Sequence, residues 1–157
     1  MAKRKVVGPL ETEFYKSILS IMPIICVDLV IQKEGQVLLI KRNNSPAKDH
    51  WWFPGGRIMK GEKIKETAER KALEEVGLLC SYNKILGVED TYFACEDEME
   101  SDIHTINIIC EMLCNKFIEI KLDNNHSKFI WLNINNLENY KLHKGVLRPL
   151  RKLIRNE

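Results

Sequence analysis

The sequence predicts an α/β fold, an α/β/α sandwich in which a mixed sheet lies between helices. Short apolar runs of strand length occur on both sides of one central stretch whose apolar residues recur every four positions. The 157 residues, 45% hydrophobic and 29% charged, suit a globular domain with one hydrophobic core. We therefore expect a single domain over residues 1–157, with residues 1–22 as an N-terminal helical segment.

The first part of the chain predicts a helix followed by a β-hairpin. Phe14, Ile18 and Leu19 share one helical face, and the helix is expected to end at Pro23. An apolar run that contains the single carboxylate of Asp28 then predicts a buried strand, a turn and a return strand. The predicted order is helix, strand, turn, strand and polar loop, at residues 11–20, 24–31, 33–36, 37–40 and 43–50.

The middle of the chain predicts an amphipathic helix over residues 64–76, which ends at Gly77. Its expected inward stripe repeats every four residues and consists of Ile64, Ala68, Ala72 and Val76, helped by Leu73. The remaining chain predicts four strands, a short helical turn and a final helix with Pro149 in its first turn. These elements cover residues 79–89, 103–112, 116–121, 129–132, 135–140 and 146–154.

Charge and cysteine content argue against several classes of protein. A net charge of +2 does not favour nucleic acid or an anionic membrane as a partner. The five cysteines show no CxxC spacing, so we interpret them as small buried hydrophobes of a reducing compartment rather than zinc ligands. The basic N-terminus lacks a signal-peptide core, and the run 18–30 is too short to span a bilayer. We expect a cytoplasmic protein.

The strongest functional signal is a set of charged residues at fixed distances from two glycines. Counting from Gly56, the spacing is five residues, a glutamate, seven residues and a charged run, which gives Glu62, Arg70, Lys71, Glu74, Glu75 and Gly77. Magnesium and manganese require oxygen ligands, which adjacent glutamates and the backbone carbonyl of Gly55 can supply. The alternative is a solvated helix face with the ion pairs Arg70–Glu74 and Lys71–Glu75.

This stretch resembles the Nudix box, the motif of a family of hydrolases that cleave a nucleoside diphosphate linked to another group. It matches at every fixed position except one, because the family has glutamate after the arginine and this chain has Lys71. The resemblance implies the Nudix fold, a small-molecule nucleoside diphosphate derivative as substrate, and Mg²⁺, or Mn²⁺, as cofactor. The implied metal ligands are the Gly55 carbonyl, Glu74 and Glu75.

Other residues resemble one branch of that family, the GDP-mannose mannosyl hydrolases. That branch has Lys-Arg, a polar stretch and Pro-Ala before Trp-aromatic-Pro-Gly-Gly-Arg, as residues 41–47 and 51–57 have here. It also has an amide residue and a histidine, then Trp-Leu five residues on, as in Asn125-His126 and Trp131-Leu132. The branch attacks carbon 1 of the sugar, releases nucleoside diphosphate and free sugar, and is dimeric. The resemblance therefore implies a nucleotide-sugar hydrolase that forms a homodimer.

The branch also implies a role for each matching residue. His126 would be the general base for water, and Arg42 and Arg57 would neutralise charge on the departing diphosphate. Asp28 would contact the sugar or orient an arginine. Arg70 is a further candidate for substrate binding. Asn125 would be a metal ligand where the branch has glutamine, which is one methylene longer.

Two other functions fit the same residues. One is a Nudix pyrophosphohydrolase that attacks phosphorus in ADP-ribose or a nucleoside triphosphate. The other is a non-catalytic nucleotide-binding module, because loss of one motif glutamate is what decay of an enzyme would produce. Individual residues have structural alternatives as well: His126 as a solvated loop residue, Arg42 as a strand end, and Lys71 as a surface partner of Glu75.

Overall fold

The computed structural model describes residues 4–96, 98–114 and 119–155. In chain order the elements are α1 (Thr12–Leu19), β1 (Ile24–Lys33), β2 (Gln36–Arg42), β3 (Trp51–Trp52), β4 (Gly55–Arg57), α2 (Ile64–Val76), β5 (Cys80–Phe93), β6 (Ile103–Cys114), β7 (His126–Asn133), a 3₁₀ helix (Ile134–Asn139) and α3 (Lys144–Arg155). The predicted N-terminal helix, the hairpin and the central helix are all present.

The strands form one mixed sheet. Its main order is β3-β2-β1-β6-β5, while β4 pairs with β1 and β7 pairs with β2. β1 runs parallel to β6, from Ile24 opposite Thr105 to Ile31 opposite Met112. The hairpin partners β1 and β2 are antiparallel, as are β5 and β6. Because β1 is central, it carries both the parallel and the antiparallel parts of the sheet.

Apolar side chains cover both faces of the sheet. β1 is buried on both sides, as Val27, Leu29 and Val30 are fully inaccessible to solvent, and this explains its nearly continuous apolar sequence. One core cluster joins the sheet to α2, and the other joins it to α3 and the 3₁₀ helix. This arrangement confirms the predicted α/β/α sandwich.

The central helix has the bounds predicted from the sequence. Ala68, Ala72 and Val76 are fully buried, and Gly77 ends the helix with φ +70°. Leu73 was expected to support the inward stripe, but it is 51% exposed, so that prediction was wrong. Leu73 follows Ala72 by one residue, which turns its side chain about 100° away around the helix.

Other predicted bounds change in the structure. β5 extends to Phe93, and β7 begins at His126, three residues before the predicted start. α3 begins at Lys144, so Pro149 lies in its second turn rather than its first. The predicted strand 116–121 is not supported: residues 116–118 lie outside the described residues, and residues 119–121 are not in a strand.

The cysteines and the helices bear on two further expectations. Cys80 and Cys110 are buried as expected, whereas Cys95 is exposed. Over the three described stretches of chain, none of the helices has the length and apolar character required to cross a membrane.

Candidate functional site

A cavity of about 320 Å³ opens where the ends of β1, β2, β4 and β7 meet α2. Its size falls within the range of small-molecule sites. Its lining includes six residues predicted from the sequence: Asp28, Arg42, Gly55, Arg57, Glu75 and His126. The fold thus brings together residues that are separated by up to about a hundred positions in the chain.

The Gly55 backbone faces α2 because of how β4 pairs with β1. Leu29 N–H donates to the Pro54 carbonyl at 2.8 Å, and the register sets Asp28 opposite Gly55. In such an antiparallel ladder the N–H and carbonyl of the next residue, Gly55, point away from β1. The Gly55 N–H donates to Glu75 Oε2 at 2.9 Å. The Gly55 carbonyl therefore points towards the same edge as the Glu75 carboxylate.

Only glycine fits at position 55. A Cβ there would lie 2.1 Å from the carbonyl oxygen of Val27. Any side chain would push β4 away from β1 and would separate the Gly55 backbone from Glu75. The first residue of the Gly-Gly pair is thus required for close approach between two strands.

A lysine ammonium lies beside the two predicted metal-binding carboxylates. Lys71 Nζ is 2.7 Å from Glu75 Oε1 and 3.4 Å from Glu74 Oε2. Its stem passes over Gly56 (φ +150°), where a Cβ would lie 2.8 Å from Lys71 Cε. The ion pair Lys71–Glu75 expected from the i,i+4 spacing is present. The carboxylate of Glu75 already has a cation as its partner.

The donors around Glu75 fit a magnesium-class cation. Within the described residues, no group of three or more His, Cys, Asp or Glu side chains surrounds a single metal position. The available donors are the carboxylates of Glu75 and Glu74 and the Gly55 carbonyl, all of them oxygen. Mg²⁺ ordinarily completes its shell with water and substrate phosphate rather than with protein side chains alone.

Arg70 is bonded within the protein and does not line the cavity. Its Nε and Nη2 donate to Glu62 at 2.7 and 2.8 Å, and its Nη1 donates to Glu74 at 3.0 Å. The bonds from Arg70 to Glu62 are the largest cause of the low pKa of Glu62, about 2. Arg70 as a substrate contact stays a prediction. Its observed contacts fix Glu74 and the start of α2.

His126 faces the cavity with one ring nitrogen already bonded. Its Nδ1 lies 2.6 Å from Asp123 Oδ1. The main-chain N–H of Asp123 in turn donates to the Glu75 carbonyl at 3.3 Å, which ties the loop to the end of α2. In the β2–β7 ladder His126 is opposite Arg42, next to a bulge at Lys41. The histidine and the arginine are therefore positioned by the sheet.

Asn125 is exposed and is not brought to the cavity. Its side-chain oxygen accepts from Asn44 Nδ2 at 2.8 Å, and its own Nδ2 donates to Asp123 at 3.2 Å. These contacts join two polar loops. Asn125 as a metal ligand stays a prediction, and the metal-donor group described above does not include it.

The two arginines of the cavity differ in their contacts. Arg42 Nε donates to the Pro46 carbonyl at 2.7 Å, and burial lowers the pKa of Arg42. The Arg57 guanidinium lies over the ring of Tyr15, 4.3 Å from its centroid. Arg57 Nη1 is buried and has no hydrogen-bond partner within the described residues. A buried donor of this kind is suited to an acceptor on a ligand.

Asp28 forms a buried polar floor with residues that the sequence did not predict. Asn107 Nδ2 donates to Asp28 Oδ2 at 2.9 Å, and Thr105 Oγ1 donates to Asn107 Oδ1 at 2.6 Å. The side chain of Trp52 also donates to Asp28. Burial raises the pKa of Asp28 to about 7, although these hydrogen bonds and Arg42 act in the opposite direction. The signal for this floor is the alternation of Thr105 and Asn107 with isoleucines in β6.

The NUDIX domain family profile matches residues 22–154, most of the chain. The chain belongs to the Nudix family. This confirms the resemblance stated from the motif and, at the level of the family, the expected Nudix hydrolase.

The chain is also similar in sequence to proteins that are named for different roles. The low-salt glycan biosynthesis protein Agl8 of Haloferax volcanii is 36% identical over 83 residues, which span 53% of this chain and 53% of that protein. The ADP-ribose pyrophosphatase of Methanocaldococcus jannaschii is 28% identical over 134 residues, 85% of this chain and 75% of that protein. The chain thus spans about half the length of the first relative and three quarters of the second.

Solved Nudix structures share the fold. The MutT protein from Methanosarcina mazei Go1 has a TM-score of 0.71 at 24% identity, covering 86% of this chain and 96% of that one. The NUDIX domain of Shewanella oneidensis NrtR, complexed with ADP ribose, has a TM-score of 0.61 at 17% identity, covering 94% and 99%. At these identities the similarity shows the Nudix fold.

Proposed function

We propose that this Nudix protein hydrolyses a nucleotide sugar of the GDP-mannose type by attack of water on the glycosidic carbon. The products are a nucleoside diphosphate and a free sugar. The observation that carries the proposal is that His126 lines the same cavity as Arg42, Arg57 and Glu75. A base and groups that bind diphosphate thus face one space.

His126 is the base in this proposal. Asp123 Oδ1, 2.6 Å from Nδ1, holds the ring and stabilises the positive charge that the imidazole acquires. Nε2 then accepts the proton of the attacking water. General base catalysis of this kind contributes roughly 10²–10⁴-fold to the rate. Glu74 and Glu75 are less suited, because Lys71 pairs with both and Arg70 pairs with Glu74.

The two arginines of the cavity stabilise the leaving diphosphate. Arg57 offers the unpartnered Nη1, and Arg42 lies opposite His126 in the sheet. Planar guanidinium groups match phosphate oxygens in geometry and charge. When bound at Glu75 and the Gly55 carbonyl, Mg²⁺ or Mn²⁺ would neutralise further charge on the diphosphate. The floor of Asp28 and Asn107 offers hydrogen bonds to sugar hydroxyls.

A second candidate is pyrophosphate cleavage of a substrate such as ADP-ribose by attack on phosphorus. It is favoured by the relative named ADP-ribose pyrophosphatase, which aligns with 85% of this chain. In that reaction the half-exposed Glu74 would activate water, which requires it to give up one of its ion pairs with Arg70 and Lys71. Its products are a nucleoside monophosphate and a phosphorylated fragment.

Product analysis in ¹⁸O-labelled water separates these reactions. The protein is incubated with Mg²⁺ or Mn²⁺ and a panel of nucleotide sugars, ADP-ribose and nucleoside triphosphates, and the products are identified by mass spectrometry. We expect the label on the sugar and an unlabelled nucleoside diphosphate. If ¹⁸O is found on phosphate with every substrate, attack on carbon is wrong and the second candidate, attack on phosphorus, is correct. Tight binding without turnover would indicate a nucleotide-binding module.

A further inference from the structure

Lys71 is the one motif position at which this chain departs from the family, and its side chain is enclosed. The lysine side chain is only 17% exposed, between the Gly56 backbone and the two carboxylates of Glu74 and Glu75. Its Nζ is 2.7 Å from Glu75 Oε1, whose side chain is 9% exposed. A lysine on a solvated helix face would extend into water instead. The ammonium thus lies against the oxygen donors that fit a metal ion.

The net charge of Lys71 and the charged residues around it limits how many divalent cations can bind there. Three carboxylates, Glu62, Glu74 and Glu75, are joined by hydrogen bonds and ion pairs to two cations, Arg70 and Lys71. The group therefore carries a single net negative charge. A glutamate at position 71 would change that charge by two units and would attract additional divalent cations.

We propose that Lys71 is a built-in counter-ion of the metal site. Its ammonium holds Glu75 in place before metal binds, competes with a divalent ion for Glu75 Oε1, and occupies the position of a second ion. This inference rests on the proposed divalent site at Glu75, although it does not depend on which substrate is cleaved.

Competition follows from the short contact between Lys71 and Glu75. A divalent ion coordinated by Glu75 Oε1 would lie within a few ångströms of an ammonium that remained in place, and repulsion is strong in a partly buried site. The flexible four-carbon stem of lysine allows Nζ to move out. Each binding event then includes the loss of the Lys71–Glu75 ion pair, which weakens the apparent affinity for metal.

Mn²⁺ binding without substrate tests the proposal, measured as free Mn²⁺ by electron paramagnetic resonance. Lys71→Met removes the charge, keeps an apolar stem over Gly56 and adds no oxygen ligand. We expect Lys71→Met to bind Mn²⁺ at least about tenfold more tightly and to have a lower Tm without metal. Lys71→Glu should bind a second Mn²⁺ per chain.

Lys65→Met is the matched control. Lys65 lies on the same helix and also pairs with a glutamate at i,i+4, at 3.8 Å from Glu69, but it is exposed. Its loss should leave Mn²⁺ affinity unchanged. Equal or weaker Mn²⁺ binding by Lys71→Met than by the wild type would overturn the proposal.

The variant Glu75→Gln tests whether Glu75 forms the metal site at all, separately from the role of Lys71. It should abolish the tight Mn²⁺ site in both the wild-type and the Lys71→Met background. If Mn²⁺ binding survives Glu75→Gln unchanged, the metal site at Glu75 and the role of Lys71 are both wrong. If the product analysis finds attack on phosphorus instead of carbon, the proposed reaction fails while the Mn²⁺ titrations still decide the role of Lys71.

Discussion

The imidazole of His126 combines three properties that a general base requires. Its side chain is 7% exposed, its Nδ1 is 2.6 Å from the carboxylate of Asp123, and the residue lines the cavity with both arginines. The bond at Nδ1 fixes the ring plane and leaves Nε2 to face the cavity.

Substitution of His126 tests its role. His126→Gln should lower kcat on the preferred nucleotide sugar by at least about tenfold, with a smaller change in KM, because proton transfer is lost and binding is retained. Steady-state kinetics measure both constants. The control is His104→Gln, since His104 also faces an aspartate, Asp90 at 3.9 Å, but on the surface. An unchanged kcat in His126→Gln would assign proton transfer to another group.

The buried polar floor around Asp28 shows which properties of single residues the sequence predicts and which it does not. Asp28 could be singled out because a lone carboxylate in an apolar strand must have a partner. Its partners Asn107 and Trp52 could not be named, because they depend on which strands become neighbours. Likewise the motif identified Glu74 and Glu75 as adjacent carboxylates but could not show that Lys71 pairs with both.

At the scale of elements, α2 is held to the preceding loop by Glu62. Its side chain is 8% exposed and accepts hydrogen bonds from Arg70, from Thr67 Oγ1 at 2.9 Å and from Met59 N–H at 3.0 Å. Four donors on one carboxylate connect the loop after β4 with the first two turns of the helix. The position of Glu74 and Glu75 relative to Gly55 depends on this connection.

Loss of the Glu62 carboxylate should destabilise the fold. Glu62→Gln is expected to lower the free energy of unfolding by roughly 1–3 kcal/mol, because a mostly buried ion pair loses its charge. The low pKa of Glu62, about 2, gives the pH dependence. The Glu62 carboxylate contributes fully to the free energy of unfolding above its ordinary pKa of 4.5. This contribution is lost as the pH falls towards 2.

Urea denaturation at pH 7 and at pH 3 measures both effects. The control is Glu138→Gln, since Glu138 pairs with Arg151 at 3.1 Å but is exposed, and its loss should change stability by less than about 0.5 kcal/mol. Equal stability of Glu62→Gln and the wild type at pH 7 would remove Glu62 as a structural contact of α2.

The sequence predicted elements better than it predicted their neighbours. The four-residue repeat and Gly77 located α2 at residues 64–76, because the helical period and the C-cap are local properties. The start of β7 was missed by three residues because His126 and Ser127 are polar, and their pairing with β2 is a tertiary contact. Leu73 is exposed because the stripe that α2 presents to the sheet is narrower than the sequence pattern predicts.

For the whole molecule, the buried carboxyl of Asp28 makes stability depend on pH near neutrality. Burial raises its pKa from 3.8 to about 7. A carboxyl with a raised pKa stabilises the folded state fully below its ordinary pKa, and this contribution is lost as the pH rises through about 7. The wild-type protein should therefore lose stability between about pH 4 and pH 7 at this position.

Asp28→Asn removes that titration while an amide oxygen can still accept from Asn107. We expect the difference in Tm, variant minus wild type, to be larger at pH 8 than at pH 5 by at least about 3 °C. Differential scanning calorimetry at the two pH values measures this difference. The exposed Asp49, which pairs with Lys41 at 3.5 Å, provides the control Asp49→Asn, with no such change. A pH-independent difference for Asp28→Asn would show that Asp28 ionises normally.

The pairing of β2 with β7 fixes the distance between Arg42 and His126. Arg42 is opposite His126, and the next residue, Asn43, donates its N–H to the Asn125 carbonyl at 2.9 Å. The separation of guanidinium and imidazole is thus set by main-chain hydrogen bonds that most residue types can form. Substitutions in the cavity lining outside this ladder, at Ser45 for example, would alter which substrates can enter while the distance between those two groups stays the same. Specificity and chemistry can therefore evolve separately in this molecule.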